Sequence, residues 1–384
     1  MFKIATLNKI SPAGLSRLTD NYTITENVDE ANAILVRSQA MHDMDFSDNL
    51  LSIARAGAGV INIPLDRCAE KGIVVFNTPG ANANAVKELV LAGMFMAARN
   101  IPEAVIWAKS LDSDVLKAYE KGKGQFAGTE IAGKTLGVIG LGAIGIKIAN
   151  AAEALGMNVI GYDPFLTVNA AHRISNTAEI VNDMKDMLGK CDYITIHVPA
   201  TDSTKGMMNK EVFDQMKDGV IFLNFSRDKL VNDADLMAAI DSGKIRKYVT
   251  DFATDELLHY DNVIAIPHLG ASSAEAEDNC ATMAALQTMD YIENGNIRNS
   301  VNLPNASLSR MGVCRLCVIH RNVPRMITRI LDFISDRNIN VEHMINKPRG
   351  EYAYTIVDLG GTINEEVADA IRAMSDVLRV RVLY

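Results

Sequence analysis

Along most of this chain, short runs of apolar residues alternate with stretches whose apolar positions recur at helical spacing, the pattern of strands alternating with helices. Residues 1–8 form a strand-like opening, and Ala33–Val36 (AILV) and 73–76 (IVVF) are uniformly apolar, as strands of a parallel sheet buried on both faces must be. Residues 51–56 predict a strand that runs into the flexible turn Gly57-Ala58-Gly59. Helical spacing takes over at 85–98 and is expected to stop at Asn100-Ile-Pro102, and the polar Lys/Gly-rich stretch 120–128 predicts an exposed loop. A long series follows: strand Thr135–Ile139, helix 143–155 and strand Asn158–Tyr162, then strands at 193–197, Val220–Asn224, 247–251 and 263–266 with helical segments between most of them. This alternation predicts an α/β fold with a doubly wound parallel sheet, closed by a long helix at 274–292.

Residues 299–309, with Pro304 and several Asn and Ser, predict a linker, and the pattern changes beyond it. The tail predicts strand 314–319, helix 323–336, strands 340–345 and 352–358, helix 364–374 and strand Val377–Leu383, a βαββαβ unit expected to stand as a separate module. Its charge also differs. Residues 310–384 hold 11 Lys+Arg, ten of them Arg, against 9 Asp+Glu, a net +2 beside −11 for the rest.

At 384 residues the chain has room for two or three domains, and a composition 48% hydrophobic and 22% charged is that of a globular protein. The net charge of −9 argues against a nucleic-acid partner, which calls for a basic footprint. The first residues carry no leader pattern and the longest apolar stretch, 89–98, is too short to span a bilayer, so a cytoplasmic protein with no membrane partner is expected. Five cysteines suit a reducing compartment. Cys314 and Cys317 are spaced C-x-x-C but lie on a strand pattern, where residues three apart face opposite ways, so no metal site is expected there or elsewhere.

Gly140-Leu141-Gly142-Ala143-Ile144-Gly145 matches G-x-G-x-x-G, between a buried strand and an apolar helix. In that context Gly140 makes the tight turn, Gly142 lets a pyrophosphate approach the backbone, and Gly145 allows the helix to pack closely on the strand. The N–H groups of the helix start would face the anion. Asp163, ending the next strand, would accept hydrogen bonds from the adenosine ribose and repel a 2′-phosphate, which favours NAD over NADP.

Three further segments sit at strand C-termini, where doubly wound sheets bind ligands. They are Asn224-Phe225-Ser226-Arg227, Asp251-Phe-Ala-Thr-Asp255-Glu256 and Pro267-His268-Leu269-Gly270-Ala271. Read singly, Arg227 could be a solvated loop cation, Glu256 a surface acid and His268 a helix-capping residue. Read together, they supply an anion anchor, an acid and a proton carrier that titrates near neutrality.

With these motifs, and with Arg55-Ala-Gly57-Ala58-Gly59, Asn77-Thr-Pro-Gly80, the run from Gly128 to Gly140 and His197-Val-Pro199, the chain resembles the D-isomer-specific 2-hydroxyacid dehydrogenases through nearly its whole length. The resemblance implies a Rossmann-type NAD-binding domain (101–286) inserted into a smaller flavodoxin-like substrate domain (1–100 and 287–305), followed by a regulatory ACT domain (310–384). It implies oxidation of 3-phospho-D-glycerate to 3-phosphohydroxypyruvate, with Arg227, Glu256 and His268 as the catalytic set. Gly57, Ala58, Arg55 and Arg227 would hold the anionic substrate. Phe225, Ser226, Asp251, Leu269, Gly270 and Ala271 would join the glycine turn, Ala143, Ile144 and His268 around the cofactor. A glyoxylate/hydroxypyruvate reductase and an NAD-sensing corepressor are the alternatives carried by the same resemblance. In the tail, His320, Asn322 and Asn340 match positions that bind L-serine where paired ACT domains meet, which implies a homo-oligomer, dimer or tetramer. Asp228 after Arg227, Ile61, Leu257 after Glu256, Lys87, and Arg325 after Pro324 depart from the family pattern.

Overall fold

A computed structural model describes residues 1–384, which divide into two compact units: Met1–Ala81 with Glu277–Tyr384, and Asn82–Ala276. The first unit opens with a five-stranded sheet of β1 (Phe2–Leu7), β2 (Tyr22–Thr25), β3 (Ala33–Val36), β4 (Ser52–Arg55) and β5 (Val74–Phe76). All pairings are parallel, in the order β2-β1-β3-β4-β5, the flavodoxin-like order. One face packs Ile34, Val36 and Ile53 against Met41, Phe46 and Ile63. The other packs Leu35, Ala54 and Phe76 against Tyr291 and Ile292 of the helix Ala274–Asn294.

The second unit holds seven parallel strands: β6 (Thr135–Ile139), β7 (Asn158–Tyr162), β8 (Glu179–Val181), β9 (Tyr193–Ile196), β10 (Val220–Asn224), β11 (Ile245–Thr250) and β12 (Val263–Ala265). Their order is β12-β11-β10-β9-β6-β7-β8, so the winding reverses between β6 and β9. That switch point is where a doubly wound sheet opens a crevice at its strand C-termini. Both faces are buried, one under the helices Ala83–Arg99 and Ala143–Ala154 and the other under Phe213, Met216 and Leu236.

The doubly wound expectation holds, with differences at specific places. The helix Ala83–Arg99 ends on Asn100 at φ +50°, yet a new helix, Ile101–Lys109, starts at once. Pro102 sits in its first turn, where the missing N–H has no intrahelical partner to lose, so the residue read as a stop also serves as a start. The expected loop at 120–128 is helical to Phe126, through Val115–Gly122 and the 3₁₀ turn Lys123–Phe126. Trp107 holds this arm together, its ring meeting those of Tyr119 and Phe126 at a tilt. The sequence pattern also missed β2 and β8. Both are short edge strands whose residues are largely exposed, which erases the apolar run.

The tail is βαββαβ as expected, with β13 (Cys314–Arg321), β14 (Val341–Arg349), β15 (Tyr352–Leu359) and β16 (Val377–Leu383) antiparallel in the order β14-β15-β13-β16. Cys314, Leu316 and Val318 lie under the helices Met326–Ser335 and Glu365–Arg372. Cys317 and Ile319 lie on the opposite face with Tyr354 and Ile356, in one core with Leu35, Phe76 and Tyr291 of the first unit. Four tail arginines reinforce that contact through backbone carbonyls: Arg315 donates to Asn294 and Leu308, Arg349 to Ser300 and Leu303, Arg379 to Asp48 and Lys71, and Arg381 to Tyr291 and Ile292. Residues 299–309 are docked too, Asn302 accepting from the Val75 N–H at 2.9 Å and donating to the Ile73 carbonyl at 2.9 Å. No single helix in the chain is long and apolar enough to cross a membrane.

Candidate dinucleotide and catalytic site

In the second unit the glycine turn follows β6 at the switch point. Gly140 has φ +92°, and a Cβ there would lie 2.5 Å from the His197 carbonyl oxygen after β9. A Cβ on Gly145 would lie 1.9 Å from the Gly140 oxygen, so only glycine lets the helix Ala143–Ala154 start this close to the strand. Gly142 is the opposite case: nothing lies within 4 Å of its would-be Cβ. No side chain caps the helix, so its first N–H groups have no side-chain acceptor. Such a cradle, which a side chain would fill, fits the pyrophosphate of a dinucleotide. Asp163 at the end of β7 accepts from the Leu141 N–H at 2.9 Å and the Phe165 N–H at 2.8 Å, fixing its carboxylate against the turn.

The segment after β10 is held by Asn224, fully buried, whose side-chain oxygen accepts from the Ser226 and Arg227 N–H groups while its amide donates to the Arg227 carbonyl at 2.8 Å. Ser226 spends its hydroxyl on the Ile196 carbonyl at 2.7 Å, and the Phe225 ring is packed in the core. Only backbone from these two residues is left for a ligand. Arg227 lies over the Phe252 ring at 5.6 Å, and the same ring meets the His268 imidazole with centroids 4.3 Å apart. Phe252 thus joins the two residues. The sequence reading missed it, although it directly follows Asp251.

Asp251, 3% exposed, accepts from the Gly270 N–H at 3.0 Å through one oxygen, while the other is buried without a partner. Burial raises its pKa, with the Gly270 N–H and the nearby His268 opposing. An orphaned acceptor at a strand C-terminus is an invitation to an amide donor, which a nicotinamide carboxamide supplies. Leu269 and Ala271 flank Gly270 in the same turn, Leu269 being largely exposed.

Glu256 is exposed on the short helix Asp255–Leu258, and no ion pair joins it to the imidazole of His268. The helix is pinned by Leu257, 1% exposed in the core, which accounts for leucine at that departure from the family pattern. His197 entered the sequence reading only through the motif His197-Val-Pro199. Its Nε2 bonds the Thr195 hydroxyl at 2.8 Å, its Nδ1 is buried without a partner, and burial pushes its pKa down to about 3. It is therefore a neutral ring behind the glycine turn.

In the first unit, Gly57 has φ +154°, and a Cβ there would lie 2.5 Å from an Arg55 guanidinium nitrogen. The Arg55 Nε donates to the Arg37 carbonyl at 3.0 Å, and Asn77 donates to the Ala58 carbonyl at 2.7 Å. Arg55, Gly57 and Ala58 thus gather at the end of β4, with Ile61 beside them 91% exposed.

Comparison with known proteins bears on this arrangement. Residues 91–270 match the model of the D-isomer specific 2-hydroxyacid dehydrogenase, NAD binding domain. The chain is 30% identical to the D-3-phosphoglycerate dehydrogenase of Escherichia coli strain K12 over 95% of its own length and 90% of that protein. The chain belongs to the D-isomer-specific 2-hydroxyacid dehydrogenases. It is 35% identical to the D-3-phosphoglycerate dehydrogenase of Methanocaldococcus jannaschii over 88% of its length, but spans only 63% of that longer relative. In fold it is similar to an NAD+-bound 3-phosphoglycerate dehydrogenase of Entamoeba histolytica, with a TM-score of 0.60 and 24% identity over 78% of this chain and 98% of that one.

Family membership makes NAD the cofactor of the second unit, and the open cradle at Gly142 and the orphaned Asp251 oxygen fit it. In the tail the residues are less available. His320 is 2% exposed, with one ring nitrogen on the Arg321 carbonyl at 2.7 Å and the other on the Thr355 hydroxyl at 2.9 Å. Asn322 and Asn340 are exposed, their amides bonded to the Gly350 carbonyl at 3.2 Å and to Glu342 at 3.0 Å. Arg325 occupies a left-handed conformation, φ +69°, that glycine would adopt without strain.

Proposed function

We propose that this 2-hydroxyacid dehydrogenase is an NAD-dependent D-3-phosphoglycerate dehydrogenase that interconverts 3-phospho-D-glycerate and 3-phosphohydroxypyruvate. The observation that carries the reading is Arg227 and His268 held against one ring, Phe252, beside the buried Asp251. The similarity over 90% of the Escherichia coli enzyme supports the choice of substrate.

NAD, which the glycine turn 140–145 and Asp251 would hold, would supply the hydride acceptor for the substrate's C2 in oxidation and the donor in reduction. His268 accepts the proton of the C2 hydroxyl as the C–H bond breaks and the C=O bond forms, and gives it back in reduction. Arg227 presents its planar fork to the carboxylate and to the carbonyl oxygen on which charge gathers. Glu256 supplies a carboxylate that favours the imidazolium of His268. Gly57 and Ala58 receive the substrate carboxylate on their N–H groups, and Arg55 takes the phosphate. Asp163 selects NAD by repelling a 2′-phosphate. The test is steady-state reduction of 3-phosphohydroxypyruvate with each cofactor. NADH is expected to be consumed at least about tenfold more efficiently than NADPH; equal use, or none, defeats the reading.

The tail is proposed to bind L-serine through Asn322 and Asn340 between paired subunits, in a cytoplasmic homo-oligomer. Exposed apolar residues on the helical arm, Ile106 at 71% and Leu116 at 82%, support a second copy as their cover. Serine titrated into the purified enzyme is expected to release heat and inhibit. No heat, or sedimentation as a monomer, removes this part of the proposal.

A further inference from the structure

The Glu256 side chain forms no hydrogen bond or ion pair, so it is placed only by the backbone that carries it, the four-residue helix Asp255–Leu258. A single helical turn has too few internal hydrogen bonds to persist alone, and its neighbours must hold it. Three contacts do so. All lead to one longer helix, Asp233–Asp241, which starts six residues after Arg227. Leu257, 1% exposed, shares a core with Leu236 and Ile240 of that helix. Beyond the turn, the Tyr260 hydroxyl donates to the Asp241 carboxylate. Before it, the Thr254 hydroxyl donates to the Asp233 carboxylate at 2.8 Å.

The last of these contacts runs against local habit. Thr254 is the N-cap of the Glu256 helix, where a threonine ordinarily accepts from a free N–H of the first turn. Its side chain makes no such bond and reaches to the other helix instead. Asp233 is equally free of capping duty. The cap of its own helix is Asn232, whose side chain accepts from the Asp235 N–H at 3.1 Å. Thr254 and Asp233 thus give their side chains to joining two helix starts, one following Arg227 in the chain and the other leading to Glu256.

We infer, on the role given above to Glu256, that Asp233 is a positioning residue for it, acting through the Thr254 hydroxyl. The apolar contact at Leu257 is non-directional, and it holds the two helices together without fixing their rotation. A hydroxyl–carboxylate hydrogen bond is directional and charge-assisted. Set two residues before Glu256, it fixes the direction in which that carboxylate leaves the helix, while Tyr260 and Asp241 tie the far end. Asp233 acts on catalysis only through Glu256.

The test is a kinetic cycle on the full-length enzyme, reducing 3-phosphohydroxypyruvate with NADH. Asp233→Ala and Thr254→Val, which break the bond, are expected to lower kcat about 5–50-fold and leave KM for NADH unchanged. Asp233→Asn and Thr254→Ser, which keep an acceptor and a donor in place, should stay within about threefold of the wild type. Glu256→Gln is expected to be impaired as well. Adding Asp233→Ala to it should cost nothing more, because no carboxylate is left to position. An impaired Glu256→Gln beside a fully active Asp233→Ala would overturn the inference alone. So would a double variant in which the two losses multiply, since Asp233 would then support the fold and not Glu256. Full activity in Glu256→Gln would instead remove the role of Glu256 itself, and the inference with it.

Discussion

His268→Ala lowers the turnover number for reduction of 3-phosphohydroxypyruvate by about 10²–10⁴-fold, the worth of a positioned proton donor. NADH binding should change little, because the cradle at Gly142 and the acceptor on Asp251 do not depend on the imidazole. The neighbours leave no obvious substitute. Asp251 is buried and accepts from the Gly270 N–H, and Glu256 forms no ion pair with the imidazole. Phe252→Leu separates chemistry from positioning. It keeps His268 but removes the ring against which His268 and Arg227 both rest, so turnover should fall less than in His268→Ala while KM for the keto acid rises. A His268→Ala enzyme with wild-type turnover would show that the proton moves elsewhere.

Asp358→Asn destabilises the first unit by about 3–5 kcal/mol, the cost of stripping a buried charge of its partner. Arg315 and Asp358 are both wholly inaccessible to solvent and meet as a two-bond fork at 2.6 and 2.7 Å. The Asp358 carboxylate also takes the Met311 N–H, and Arg315 reaches the carbonyls of Asn294 and Leu308. One ion pair thus ties β13 and β15 to the end of the helix Ala274–Asn294 and to residues 299–309. Replacing both partners, as Arg315→Met with Asp358→Leu, should recover much of the loss because no unpaired charge remains. Recovery stays incomplete, since two carbonyls lose their donor. Urea denaturation of the three proteins checks the order. If Asp358→Asn unfolds with the wild type, the pair does not hold this interface.

The apolar runs made the sheets legible because a strand buried on both faces cannot hide polar residues. Val220–Asn224 and Asn158–Tyr162 were readable to the residue for that reason. Turns were legible where chemistry demands glycine, as at Gly140 and Gly145. What was hidden depends on contacts distant in sequence. Nothing in the string RLCVIHR says that Cys317 and Ile319 share a core with Phe76, or that the arginines enriched in the tail end on carbonyls of the preceding fold. At the site, residue types could be read and distances could not. Phe252 was passed over because an aromatic residue after a strand carries no sign of a site, whereas here its ring contacts both Arg227 and His268. Glu256 illustrates the reverse: its residue type could be read, whereas its exposure and the absence of an ion pair to His268 could not.

The substrate is the centre of the account, and comparing kcat/KM for 3-phosphohydroxypyruvate with that for unphosphorylated hydroxypyruvate, both with NADH, tests it most directly. A phosphate held by charge-assisted hydrogen bonds is worth about 1.5–3 kcal/mol or more, so the phosphorylated acid is predicted to be favoured by at least about 10–100-fold. Equal efficiency on the two acids, or preference for the unphosphorylated one, would contradict it.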